Sequence, residues 1–141
     1  MSLEIPEFQK RIRIYYEHTD AGGVVYHANY LNFMESTRCD WLADLGHDVA
    51  TMQERDHLVW VVREANIKYD LPARLFDELI VSCQALQVGK VSLVVQQNIY
   101  NEGELLCRGR IKLATLDRTS YKLTAMPETL QTTLKKSVIN T

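Results

Sequence analysis

The chain has 141 residues, 46% of them hydrophobic and 24% charged, the make-up of one globular domain of about 100–150 residues. This excludes a disordered chain, a collagen-like chain and a disulfide-dense miniprotein. Lys+Arg number 16 against 18 Asp+Glu, a net charge of -2, so the basic excess of a nucleic-acid binder is absent.

Taken in order, Arg11 to Tyr16 alternates basic and apolar residues and then turns aromatic, which predicts a strand ended by Ala21-Gly22-Gly23. From Tyr30 to Leu45 the residues Tyr30, Phe33, Met34, Thr37, Trp41 and Leu45 recur at spacings of three and four, with Leu31, Arg38 and Leu42 flanking the stripe. This predicts a long, largely buried helix stopped by Gly46. The period then changes to two. A strand is predicted over Val59 to Tyr69, ended by Leu71-Pro72, and a second over Glu78 to Val88. Gly89-Lys90 reads as a two-residue type II′ turn into a third strand, Val91 to Tyr100. Asn101-Glu102-Gly103 reads as a three-residue turn into a fourth strand, Glu104 to Leu116, on which Gly109 leaves a gap in the apolar row. Pro127 to Val138 reads as a short helix beginning at its proline. The expected layout is α+β: one strand, a central helix, then four strands in a meander. Apolar residues on both faces, such as Val62 and Leu86, point to a partner subunit and hence a homo-oligomer.

Met1 to Lys10 carries Glu4, Pro6 and Glu7 and no apolar run, so no signal peptide is expected. No stretch approaches the ~18 apolar residues of a membrane-spanning helix. A cytoplasmic protein is the expectation. Cys39, Cys83 and Cys107 lie far apart and are expected to be reduced packing residues. The histidines show neither HxxxH nor HExxH spacing, so no metal site is expected.

The densest chemistry is in Tyr15 to Tyr30, YYEHTDAGGVVYHANY, where Glu17, His18, Asp20 and His27 stand beside two glycines directly before the helix. A carboxylate there lies near free N–H groups and the positive end of the helix dipole, where an oxyanion on an acyl carbonyl can be held. The carboxylate itself can serve as nucleophile or as base for water. On residue types alone the plainer account is a turn, since Asp and Gly are turn residues.

The run from Asp20 to Tyr30, DAGGVVYHANY, followed by Phe33-Met34-Glu35 and Arg38, resembles the opening motif of the 4-hydroxybenzoyl-CoA thioesterase family, nearest its YbgC-like, Tol–Pal-associated branch. Val61-Val62-Arg63, Ile67-Lys68-Tyr69 and Pro72 to Asp77 resemble that branch's next block. The similarity covers about residues 10–120. It implies a single hotdog domain over residues 1–141, in which an antiparallel sheet wraps a central helix, with a tail over 121–141. It also implies dimers or tetramers with active sites between subunits, and acyl-CoA as the small-molecule substrate without a separate cofactor.

By motif position, Asp20 is the implied catalytic carboxylate and the N–H near His27 the implied carbonyl polariser. Val24, Tyr26 and His27 line the acyl pocket, and Asn29 and Arg63 complete the substrate-binding set. His18 stands where close relatives often carry an acid. Glu35 is a rival acid, and the simpler expectation for it is an i,i+3 pair with Arg38. Arg108, Arg110 and Lys112 form a basic row on one strand face, which is either a contact for coenzyme A phosphates or a solvated surface; Arg74 and Lys90 are further basic candidates. Acyl-chain preference is not readable. A hydroxyacyl-thioester dehydratase and a non-catalytic acyl-CoA-binding module remain the alternatives.

Overall fold

The computed structural model describes residues 7–138. Five strands form one antiparallel sheet: β1 (Phe8–Arg13), β2 (Leu58–Tyr69), β3 (Glu78–Val88), β4 (Ser92–Asn101) and β5 (Glu104–Asp117). Their order across the sheet is β1-β3-β4-β5-β2. Three helices accompany them: α1 (His27–Asp44), α2 (Val49–Arg55) and α3 (Glu128–Ser137).

The sheet holds α1 against one face, the hotdog arrangement. The buried stripe of α1 is Tyr30, Phe33, Met34, Thr37, Arg38, Trp41 and Leu42, the three-and-four spacing of a helix that rests on a sheet. The gap at Gly109 has a reason. A Cβ there would stand 2.8 Å from both Cε and Sδ of Met34 and 2.9 Å from Cδ1 of Ile67, so the missing side chain lets α1 settle onto β5. Gly46, at φ +91°, closes α1 in a Schellman motif, with Gly46 N–H on Ala43 O and His47 N–H on Leu42 O at 2.8 Å.

Four expectations are corrected. β1 lies earlier than Arg11 to Tyr16: Ile14 already leaves the sheet to donate to Asp77 O, and Tyr16–His18 is a 3-10 turn. β2 is not in a meander with β3; it pairs along its length with β5 at the far edge, and the chain crosses the sheet ends through 70–77. A crossing of that length has no need of a hairpin.

Gly89 is not in the left-handed region a type II′ turn requires. The connection widens because the carbonyls of Lys90 and Val91 accept from Met126 and Thr115. Conversely, Glu102 and Gly103 are both left-handed, at φ 49° and 80°, and Asn101 pairs with Glu104, which makes a two-residue type I′ turn.

Helix α2 was not expected. Asp48 caps it by accepting from Thr51 N at 3.1 Å. Helix α3 starts just after Pro127 and buries Leu130 and Leu134. Among the described residues no helix is long and apolar enough to cross a membrane.

Candidate active site at the start of the long helix

The Tyr15–Tyr30 segment folds as a small loop closed on the first turn of α1. Thr19 bridges Val25, and Val24 bridges Arg74. At the tip, Asp20 N–H donates to Val24 O and Gly23 N–H to Asp20 O. Gly23 sits at φ +80°, a conformation that costs a residue with a Cβ about 1–2 kcal/mol. The Asp20 carboxylate is exposed, and its Oδ1 accepts from Gly22 N at 2.8 Å. A Cβ on Gly22 would come within 3.1 Å of that oxygen. No cation pairs with Asp20 among the described residues.

His18 is the hinge of this loop. Its carbonyl accepts from Tyr26 N–H at 2.9 Å and from Asn29 Nδ2 at 2.9 Å, which ties the loop to the helix. Its Nδ1 accepts from Tyr15 N–H at 2.9 Å, so the neutral ring carries its proton on Nε2. The ring stands edge-on to Phe33, 5.2 Å between centroids. His18 is therefore part of the scaffold.

Helix α1 begins at His27 without a side-chain cap from Tyr26 and without an acid in its first turn. Asn29 N–H bonds Tyr26 O, whereas those of His27 and Ala28 have no protein acceptor among the described residues. Unfilled N–H groups at a helix start favour a negative ligand atom. Tyr26 and His27 are exposed side by side, ring centroids 4.6 Å apart. Val24 is half-buried. The structure thus brings Asp20, Val24, Tyr26, His27 and Asn29 together on one loop and helix end.

Arg63 is not brought to them. It stands exposed on β2 at the bulge between Val62 and Glu64, with no hydrogen bond to the loop among the described residues.

Two tyrosines, Tyr69 on β2 and Tyr30 at the end of the motif, complete the site's frame. Tyr69 Oη donates to His27 O at 3.2 Å, and Tyr30 Oη accepts from Ala73 N at 3.0 Å, while Val25 N–H donates to Ala73 O. Burial raises both phenol pKa values, so both stay protonated at neutral pH. In the sequence Tyr69 stands out only as an aromatic residue of the family-like Ile67-Lys68-Tyr69 block, and its position on β2 gives no hint that it reaches the helix start.

The rival acid and the basic row separate from the site. Glu35 is exposed and does not pair with Arg38; Arg38 turns inward, where Nη1 donates to Gln97 Oε1 at 3.0 Å. Arg108 pairs with Asp70 at 3.1 Å, and Arg108, Arg110 and Lys68 line a shallow groove of about 200 Å3 on the polar sheet face. The thiols are unsuited to nucleophilic attack. Burial raises Cys83 and Cys39 and pushes Cys107 up to about 12, so the thiolate is scarce.

A family model described as the thioesterase-like superfamily matches residues 15–134. The chain belongs to this superfamily. It is 36% identical over 121 residues to the acyl-CoA thioesterase YbgC of Haemophilus influenzae, covering 86% of this chain and 89% of that one. With the acyl-CoA thioester hydrolase YbgC of Escherichia coli O6:H1 it shares 37% identity over 131 residues, 92% of this chain and 96% of the relative. A probable thioesterase from Bartonella henselae superposes with a TM-score of 0.83 at 26% identity, over 86% of this chain and 100% of that one. The matched span contains every element from the His18 turn to most of α3.

Proposed function

We propose that the protein hydrolyses an acyl-CoA thioester to a carboxylic acid and free coenzyme A, with Asp20 as the catalytic carboxylate. The observation that carries this reading is one loop that holds an exposed, unpaired carboxylate beside a helix start whose first N–H groups lack acceptors. The two supply what thioester cleavage needs: an acid that attacks or deprotonates water, and donors where the carbonyl oxygen becomes negative. The YbgC relatives named above support the substrate class.

In this mechanism the thioester carbonyl lies at the amino end of α1, its oxygen on the N–H of His27. Such a donor is worth about 3 kcal/mol in the transition state. Asp20 either adds to the carbonyl carbon, forming an anhydride that water then cleaves, or removes a proton from attacking water. The thiolate of coenzyme A leaves in both routes and is then protonated. Val24 and Tyr26 flank the acyl group, Asn29 keeps the loop on the helix, and Arg63 meets the substrate from β2.

That last role fits a homo-oligomer. The long edge strand β2 and the exposed apolar residues Leu31, Val62, Tyr69 and Leu71 offer a second copy of the chain an open edge and a contact surface beside the helix start.

Thiol release from a panel of acyl-CoAs tests the reading. Asp20→Ala and Asp20→Asn should each lower kcat at least ~10²-fold, the usual cost of a lost acid–base group, with an unchanged melting temperature. Turnover within about threefold of wild type rejects Asp20. Trapping an acyl-enzyme selects the nucleophile route. Sedimentation in solution tests the oligomer, and a monomer with full activity overturns the shared site.

A further inference from the structure

Between α1, α2 and the β2–β5 side of the sheet lies a cavity of about 340 Å3, within the range of small-molecule pockets, about 300–1,000 Å3. Neither the Asp20 loop nor the start of α1 lines it. Its walls are mostly apolar, with Leu42, Val49, Leu93 and Leu113 among them, and Arg38 lines it too.

Arg38 is only 8% exposed. A guanidinium has five N–H donors in a planar fork. Here Nη1 donates to Gln97 Oε1, and no other protein acceptor is on the guanidinium among the described residues. No carboxylate lies within 4.0 Å of it among those residues. Glu35 also lines the cavity, but it is exposed at the rim, where water screens it. Trp60, another wall, keeps its buried Nε1 without an acceptor. A buried cation short of acceptors is costly unless something supplies them. Burial accordingly works against its charge.

We propose that this cavity binds a small carboxylic acid with an apolar body, the carboxylate on the Arg38 guanidinium and the body between α1 and the Leu93–Leu113 wall. The planar fork matches a carboxylate with two parallel bonds. A single guanidinium among apolar walls suits that group better than a phosphate, which draws on more donors. The acid is either a free molecule or a carboxyl group at the far end of a larger one.

Calorimetric titration of the full-length protein with octanoate, octan-1-ol and octylamine tests this. Octanoate should bind at least about tenfold more tightly than the other two, the usual weight of a charged hydrogen bond. Arg38→Met should abolish the preference. Because Arg38 also bonds Gln97, Val49→Phe provides a second test: it fills the cavity from α2 without touching that bond, and should weaken octanoate at least tenfold. Three results overturn the proposal: no octanoate binding to the wild type, equal binding of octanoate and octanol, or octanoate binding unchanged in Val49→Phe. Where binding does depend on Val49 and Arg38, the two sources separate in kinetics. Inhibition of thiol release that is competitive with acyl-CoA, and lost in Val49→Phe, assigns the site to the far end of a bound acyl group. Binding with no effect on KM assigns it to a free acid. The titration does not depend on turnover, so it stands whether or not Asp20 proves catalytic.

Discussion

The two halves of helix α1 are built by different forces. Its amino end is exposed and held by hydrogen bonds to the backbone: Tyr26 and Asn29 on the His18 carbonyl, Tyr69 on the carbonyl of His27. Its middle is buried and held by packing and one polar network, with Met34 over Gly109 and Gln97 between Arg38 and Met34 O. A helix end that must meet a ligand cannot also be filled by side chains, so directional bonds replace packing there. Stability should therefore track the middle, and activity the end.

Met34→Ala should strain this division most. Met34 is fully buried, and truncation of such a side chain costs about 2–5 kcal/mol, read as a fall in the denaturation midpoint. Gly109→Ala alone should cost about 1–3 kcal/mol through overpacking, and markedly less when Met34 is already alanine. Additive losses in that double-mutant cycle would falsify the fit described for Gly109 and Met34.

Gln97→Leu should cost about 2–3 kcal/mol, because it takes from the buried Arg38 guanidinium its one protein acceptor among the described residues; kcat should stay near wild type in the protein that remains folded. At the other end of the helix the order reverses. Gly23→Ala should cost about 1–2 kcal/mol of loop strain, and it should lower kcat by more than its stability loss accounts for. Tyr69→Phe removes one exposed bond and should lower the melting temperature by no more than about 4 °C, since a single such bond is worth at most about 1 kcal/mol. A several-fold fall in kcat with unchanged KM in that variant would show that Tyr69 sets the orientation of the helix start. No change would return Tyr69 to the frame alone.

Much of this was legible because it is local. The α1 stripe, the Gly46 stop and the bounds of β3 follow from period and turn chemistry, which depend on neighbours in sequence. The Asp20 loop was legible as a motif and as a resemblance. Arg38 was misread because an i,i+3 spacing to Glu35 says nothing about which neighbour is wetter. Burial against Gln97, 59 residues away, decided it. Helix α2 was missed because only Met52 of its seven residues is buried, too few for a period to show. The place of β2 was misread because a strand's partner is chosen across the sheet.

The sequence alone, then, determined where the chain helices, where it extends and which stretch carries an acid beside a helix start, since backbone preferences and alternation are short-range. Tertiary structure decided that β2 lies beside β5, that Gly109 seats Met34, that Tyr69 reaches His27 and that Arg38 faces a cavity. Each of these joins residues far apart in the chain, and only the closing of the sheet over the helix brings them within reach.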